Sequence, residues 1–227
     1  MAQIQSGATA DLLTVDPTSK AARVTLYDST GRELFPVVTG SYVTKLECRC
    51  TGAPAAGVTI FNFRGPPTLK AYIRNIRGRI CFDGTALAAS GTLRLGLYRG
   101  TGAASATGGT ALTLGAGIIK KNSSMGTPTV TDVRFDLTGA GLTTTSITYD
   151  TDSFNVIGLP VVSVQVAAPA TSASQGPVST FDIDFHVGGE PDSDIVIAAN
   201  EHLALRIQTV AGIIGFGING SIEWDER

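Results

Sequence analysis

The sequence predicts an all-β fold, an antiparallel β-sandwich of jelly-roll type behind an extended N-terminal arm. Two observations predict it: apolar and polar residues alternate along many short segments, and 27 glycines in 227 residues supply turns between them. From Phe181 to Val187, for example, apolar residues alternate with Asp182, Asp184 and His186. Successive side chains of a strand point to opposite faces, so this rhythm is typical of half-buried antiparallel sheet.

Strand segments recur from residue 41 to the C-terminus, which predicts a docking arm over 1–40 and a sandwich domain over 41–227. About eight to eleven strands at this spacing favour a two-sheet jelly roll. The best candidate for a helix is 86–89, and Gly84 and Gly91 confine it to about one turn. The predicted strands are 42–47, 58–63, 70–82, 92–98, 131–137, 142–149, 159–166, 180–187, 194–197, 202–210 and 213–224.

Composition and charge argue against several classes of partner. A net charge of −2 with dispersed basic residues gives no general attraction to phosphate backbones, so we expect no nucleic acid partner. No stretch reaches the roughly 20 apolar residues of a membrane helix, and residues 1–10 lack the pattern of a signal peptide. We expect a soluble chain made in a cytoplasm. The three cysteines should be reduced thiols, with Cys81 in the core of a strand.

One segment matches a dinucleotide-binding motif by letter only. Residues 215–220 read GFGING, but that motif functions where it follows a strand and opens a helix that receives the pyrophosphate. Only seven residues follow Gly220, too few for a βαβ unit. The preferred interpretation is a strand in which small residues allow close approach of the backbone. No cofactor is predicted.

Acidic residues and histidines suggest no catalytic centre. Asp182 and Asp184 have the spacing of a solvated strand face, and the loop 190–194 is the better candidate for calcium. The only histidines are His186, on a polar strand face, and His202, in a predicted turn; both are interpreted as exposed or structural. The sequence therefore predicts no catalytic residues, no metal ligands and no enzymatic activity.

Residues 6–28 read SGATADLLTVDPTSKAARVTLYD. This segment resembles the N-terminal portion of virion-associated structural proteins of tailed bacteriophages. The resemblance implies a structural protein of the virion, assembled in the host cytoplasm and similar to capsid decoration or cement proteins, head fibres and tail-accessory proteins. It further implies a homotrimer whose arm docks on major capsid, neck or tail proteins while the β-domain projects from or covers the particle.

The arm carries apolar residues that suit docking by strand addition along a neighbouring sheet edge. The alternative is that the arm folds back on its own sandwich. An isolated short hairpin is marginal in water, so in either case the segment needs a surface to lie on. The predicted docking residues of the arm are Leu12, Leu13, Val15, Val24, Leu26 and Tyr27.

A second candidate surface is a basic stripe. Arg74, Arg77 and Arg79 lie on the 70–82 strand, interleaved with isoleucines. Two interpretations are open: the stripe meets an acidic surface of a capsid or tail protein, or it keeps a strand edge soluble by charge.

The main alternative function is a receptor-binding tail module that recognises host surface glycan. Sugar sites offer an aromatic platform, and the single tryptophan, Trp224, lies between Glu223 and Asp225. The loops 100–109 and 167–176 contain no aromatic residue. This scarcity favours the structural function over glycan recognition.

Overall fold

The computed structural model describes residues 14–15, 22–23, 40–50, 55–83, 87–136, 138, 140–153, 162–166, 177–186, 195–213 and 216–227. The chain divides into two compact units, Met1–Val37 and Val38–Arg227. In the first unit, strand β1 (Thr14–Val15) pairs antiparallel with β2 (Ala22–Arg23). Of the predicted docking residues of the arm, only Val15 belongs to a described element, whereas Leu12, Leu13, Val24, Leu26 and Tyr27 lie outside the described residues.

The second unit is an all-β sandwich, as predicted. Every regular element among its described residues is a β-strand. The strands are β3 (Gly40–Cys50), β4 (Thr59–Arg64), β5 (Ala71–Asp83), β6 (Leu87–Thr101), β7 (Thr110–Ala111), β8 (Thr113–Leu114), β9 (Gly117–Lys120), β10 (Asp132–Phe135), β11 (Thr148–Tyr149), β12 (Val162–Val166), β13 (Pro177–His186), β14 (Ile195–Ile197), β15 (Glu201–Ile213) and β16 (Phe216–Glu226).

The strand order is that of a jelly roll. In sheet I the order is β13-β5-β16-β3-β9-β8, and β14 also pairs with β5. In sheet II the order is β11-β6-β15-β4-β10-β7, and β12 also pairs with β6. The four long pairs β3–β16, β5–β16, β4–β15 and β6–β15 are antiparallel, and the chain passes from one sheet to the other at each step from β3 to β4, β5 and β6 and again from β14 to β15 and β16. This order wraps the two sheets around one core.

The core lies between the sheets, where the alternating apolar residues of both face each other. Along β3, buried and more exposed residues alternate without interruption from Gly40 to Cys50. At the centre, Trp224 of sheet I is fully buried, with its ring centroid 5.4 Å from Tyr42 and 5.3 Å from Phe63 of sheet II. The tilted and edge-on geometry is the arrangement that aromatic quadrupoles favour.

One side of the sandwich is closed by a short segment that crosses from one sheet to the other. Strand β7 pairs with β10 of sheet II, and β8, two residues later, pairs in parallel with β9 of sheet I. Leu112 lies between them and is buried in the core, and its amide donates to the carbonyl of Val133 over 2.8 Å. At this crossing, the side chain of Leu112 packs into the core between the two sheets.

The carboxylate of Glu226 holds the loop before β10 against the end of β16. It is 1 % exposed and accepts hydrogen bonds from the Thr129 amide (2.9 and 3.0 Å), the Thr129 hydroxyl (2.7 Å), the Val130 amide (3.2 Å) and Trp224 Nε1 (3.3 Å). Several donors converge on one buried anion, and charge-assisted bonds of this kind are stronger than neutral ones.

Glu226→Gln is expected to lower the free energy of unfolding by about 2 kcal/mol, because an amide nitrogen would face backbone donors that need an acceptor. Urea unfolding followed by tryptophan fluorescence measures the change. Glu223→Gln is the matched control, since Glu223 lies on the outer face of the same strand and should change stability by less than about 0.5 kcal/mol. Equal effects of the two substitutions would contradict this role for Glu226.

Three details of the predicted secondary structure are wrong. The candidate helix does not form, because residues 87–89 belong to strand β6. The segment 142–149 is loop except for Thr148–Tyr149. His202 lies within β15 and is fully buried, not in a turn.

The described part of the chain contains no helix long and apolar enough to cross a membrane.

Candidate functional site

The basic stripe lies inside sheet I and not at its edge. Strand β5, which carries Arg74, Arg77 and Arg79, pairs with β16 on one side and with β13 and β14 on the other. The interpretation of the stripe as a charged strand edge is therefore wrong. Ile76 and Ile80 are buried in the core, and the alternating Arg77 and Arg79 are exposed on the outer face of the sheet.

The stripe belongs to a face of mixed charge. The register places Asp184 opposite Arg77 and Asp182 opposite Arg79. Arg74 Nε donates to Asp225 Oδ2 over 2.8 Å. Further ion pairs on this face join Lys121 to Glu223 at 2.7 Å and Lys45 to Glu47 at 2.9 Å.

None of the three stripe arginines is without a partner. Exposed pairs of this kind contribute about 0–1 kcal/mol each, so the face is held together loosely. An acidic partner would have to compete with the carboxylates already on this sheet.

The outer face of sheet II contains a fully buried polar cluster. His202 and Asn62 alternate with core residues such as Leu203 and Phe63, so their side chains leave the core, yet both are 0 % exposed. The amide of Asn62 lies 3.2 Å from His202 Nδ1, and His202 Nε2 lies 3.0 Å from the carbonyl oxygen of Gly102. Nε2 therefore carries the proton and donates to Gly102, while Nδ1 accepts from Asn62. This pattern holds the imidazole neutral.

Two segments, 102–109 and 140–149, bury this cluster, and the second ends in strand β11; we call them the cover. They are joined by a pair of backbone hydrogen bonds between Thr107 and Thr143 (2.9 and 3.0 Å). Leu142 donates its amide to the Thr59 carbonyl of β4 over 2.8 Å. The cover has a small apolar cluster of its own, formed by Ala106, Leu142 and Ile147 with Tyr149 packed against it.

Arg64 fastens the cover to the end of β4. Its guanidinium donates to the Ala103 carbonyl (2.5 Å), to the Ser105 hydroxyl (3.2 Å) and to Asn200 Oδ1 (3.1 Å). Asn200 has a left-handed backbone, with φ of 62°, a conformation that asparagine tolerates better than most residues. Gly102 in turn donates its amide to the Asn200 carbonyl over 2.9 Å.

Beside the cover, a half-buried arginine lies against two tyrosine rings. The Arg206 guanidinium is 4.5 Å from the ring centroid of Tyr149 and 5.2 Å from that of Tyr98. Gln208 Nε2 donates to the Tyr98 hydroxyl over 2.8 Å. Burial raises the pKa of Tyr149, so its hydroxyl stays protonated at neutral pH. We call these four residues the tyrosine–arginine cluster.

Gly96 leaves space for this cluster. A β-carbon at position 96 would lie 2.5 Å from Gln208 Nε2 and 2.8 Å from the Tyr98 ring. Sequence reasoning missed the cluster because its members come from strands β6, β11 and β15. The local feature of the sequence that indicates this packing is the glycine at position 96, between Arg94 and Tyr98. A glycine within a strand often marks a place where another group approaches the backbone closely.

Other residues considered from the sequence have structural positions. Trp224 is fully buried, so it is wrong as a candidate sugar platform. Gly217 and Gly220 of the GFGING segment lie in strand β16 and open no helix. Among the described residues, no group of three or more histidine, cysteine, aspartate or glutamate side chains is placed to hold a metal ion. The candidate calcium loop at 190–194 lies outside the described residues.

All three cysteines are free thiols. Cys48 and Cys50, not Cys81, are the buried ones, because they lie on the core face of β3 while Cys81 is half-buried on β5. Hydrogen bonding with Cys50, together with burial, raises the pKa of the Cys48 thiol. This thiol is therefore a poor nucleophile at neutral pH.

No protein-family model, no curated protein and no solved structure matches this chain at a significant level. The class that the structure itself defines is an antiparallel jelly-roll sandwich preceded by a separate N-terminal unit.

Proposed function

We propose that this chain is a non-enzymatic structural protein of a tailed-bacteriophage particle, an accessory decoration, cement or fibre-like protein. Its N-terminal arm docks on capsid, neck or tail proteins, and the jelly roll stabilises the particle from outside. The proposal rests on the resemblance of residues 6–28 and on the jelly roll, an architecture that viral capsid domains use.

The observation that carries the proposal is the division of the chain into unequal units. The sandwich buries its own apolar faces, with Trp224 and Phe63 at 0 % exposure. In Met1–Val37 the described regular structure is a single two-residue strand pair, β1 with β2. A pair of this size supplies little stability by itself. The docking residues predicted from the sequence, such as Leu12 and Leu13, would add stability by pairing with another protein.

The polar groups buried in the sandwich support a structural role. Asp136 accepts from the amides of Thr138 (3.0 Å) and Gly141 (2.7 Å), which fixes the turn into the cover. Glu226 binds the loop before β10, and His202 joins β4 to the cover. The hydrogen bonds of each of these groups join one part of the sandwich to another.

Replacing Leu12, Leu13 and Val15 together with serine is expected to reduce the copies of this protein per purified particle at least tenfold. Burial of three aliphatic side chains contributes several kcal/mol to docking, roughly 1.5–3 kcal/mol for each fully buried side chain. Quantitative mass spectrometry of purified particles measures the copy number. Removal of residues 1–37 should have the same effect.

The control is Thr9→Ser with Thr18→Ser, which alters the same arm without removing apolar surface. Thermal unfolding of each purified variant checks that the sandwich is intact. Normal copy number in the triple-serine variant would contradict docking by the arm.

The proposed homotrimer is checked on the purified full-length chain by light scattering, and a monomer at all concentrations would contradict it.

The alternative of glycan recognition gains one observation. The tyrosine–arginine cluster places two half-buried tyrosine rings beside a guanidinium and a side-chain amide. Rings next to hydrogen-bonding groups are the usual components of a sugar site. Adsorption competition separates the two functions: purified protein that blocks infection supports receptor binding, whereas loss of particle stability on deletion without such blocking supports decoration.

A further inference from the structure

We propose that His202 makes the cover acid-sensitive, so that protonation of its imidazole releases loops 102–109 and 140–149 from the outer face of sheet II. The inference is independent of the phage proposal, since it concerns the sandwich alone. It rests on how the imidazole is held, on the charges around it and on the small number of contacts that keep the cover in place.

Both ring nitrogens of His202 are hydrogen-bonded in the pattern that the neutral ring requires. Nε2–H donates to the Gly102 carbonyl at 3.0 Å, and Nδ1 accepts from the Asn62 amide at 3.2 Å. A second proton on Nδ1 would face the hydrogens of that amide. Rotation of the Asn62 amide would supply an acceptor, and the amide nitrogen could then donate to the oxygen of the Tyr149 hydroxyl, which now lies 3.4 Å from Asn62 Oδ1. The charge itself would still be buried.

The charge of Arg64 opposes a second cation at His202, and the other charged groups on the neighbouring strands form ion pairs with one another. The residue opposite it on β4 is Arg64, whose guanidinium fastens the cover. On its other side, β6 places Gly100 opposite His202, and neighbouring Arg99 lies 3.9 Å from Glu201. Glu201 also accepts from the Ala198 amide. Asp132 of β10 lies opposite Arg64 and is paired with Arg134 at 2.9 Å.

Burial is the largest influence on the ring and lowers the pKa of His202; the Arg64 charge lowers it further, against the opposing hydrogen bond to Gly102. The unfolded or uncovered ring has an ordinary pKa near 6.5. The covered state therefore binds fewer protons, so its stability is complete above about pH 6.5 and falls as the pH drops below that value. Between the two pKa values, the closed-to-open ratio falls by up to about tenfold per pH unit.

The cover is the part of the domain that we expect to open when His202 is protonated. Its own apolar cluster contains three buried residues, whereas the sandwich core extends across both sheets. It is attached near His202 through Gly102 and Arg64, through the Leu142 amide bonded to Thr59 of β4, and through the short pairing of β11 with β6. Local opening takes the route that exposes the fewest buried contacts, so the cover should open before the sandwich unfolds.

Hydrogen exchange of the full-length protein at pH 7.5 and pH 5.0 tests this, with rates corrected for intrinsic chemical exchange. We expect the amides of Gly102, Thr107, Leu142 and Thr143 to exchange about tenfold faster or more at pH 5.0. Amides of β3 and β16 in sheet I should keep their corrected rates. Equal corrected rates for the cover at both pH values would overturn the proposal.

Variants identify the titrating group. His202→Gln should make exchange of the cover independent of pH, whereas His186→Gln, at the only other histidine, should leave the acid response as in the parent. An acid response that persists in His202→Gln would assign it to another group, such as Asp132, and would overturn the proposal. Should His202→Gln fail to fold, Asn62→Asp decides: a carboxylate beside Nδ1 stabilises the imidazolium and should weaken the acid response, and an unchanged response would overturn the proposal.

Discussion

Trp224→Ala is expected to lower the free energy of unfolding by about 3–5 kcal/mol, the usual cost of removing a large aromatic side chain from a core. Trp224 is fully buried, packs against Tyr42 and Phe63, and donates from Nε1 to the Glu226 carboxylate at 3.3 Å. Alanine would leave a cavity where the two sheets meet and would remove one donor from a buried anion. Chemical denaturation followed by circular dichroism measures the loss.

Ile119→Ala is the matched control for this prediction. Ile119 is also apolar and lies on a strand of sheet I, but its side chain is 63 % exposed. Its truncation should change stability by less than about 0.5 kcal/mol. A loss below about 1 kcal/mol for Trp224→Ala would contradict the position of this residue at the centre of the core.

Gly220→Ala is expected to cost about 3 kcal/mol, at the upper end of the usual range for overpacking. Gly220 of β16 lies opposite Gly78 of β5, and the two backbones approach closely. A β-carbon on Gly220 would lie 2.1 Å from the Arg77 carbonyl oxygen and 2.6 Å from the Gly78 α-carbon. Both are backbone atoms, so the sheet would have to deform to admit a methyl group.

Gly217→Ala, three residues away on the same strand, is the control. A β-carbon there meets nothing closer than 3.9 Å. Its effect on the urea midpoint should be small, whereas Gly220→Ala should lower the midpoint clearly. Similar midpoints for the two variants would mean that β5 and β16 are not as closely paired at Gly78 and Gly220 as described.

The strands were predictable because their determinants are local. Alternation along β3 and β16 depends on the pleat, and the observed burial alternates throughout β3, where Thr44 is the polar exception on the core face, and along β16 except at Gly220. The failed helix at 86–89 illustrates the limit of local reasoning. Alanine and leucine favour helix by propensity, but Leu87 pairs with Ile213 at the end of the long β6–β15 ladder. Tertiary pairing outweighs propensity there.

The position of a strand within its sheet was not predictable. Arg74, Arg77 and Arg79 fit a charged edge as well as a solvated sheet face, since both place charge on alternate residues. Only the pairing of β5 with strands that lie more than 90 residues further along the chain decides between them. Sequence alternation specifies faces, while neighbours depend on the whole topology.

The burial of His202 was hidden for the same reason. His202 alternates with the core residue Leu203 along β15, so its side chain points away from the core. Residues on that face are normally solvated. Here residues 102–109 and 140–149 cover the His202 side chain. Nothing in the sequence of either segment indicates that it packs against the outer face of sheet II. The tyrosine–arginine cluster likewise joins Tyr98, Tyr149 and Arg206 from distant parts of the chain.

Electron cryomicroscopy of purified phage particles tests the central proposal most directly, with particles from which this chain has been deleted as the reference. We expect a difference density on the outside of the particle that fits the jelly roll of Val38–Arg227, with further density for the arm along a neighbouring capsid, neck or tail protein. Particles with and without the chain that show identical density, with the protein found only free in the lysate, would contradict the account.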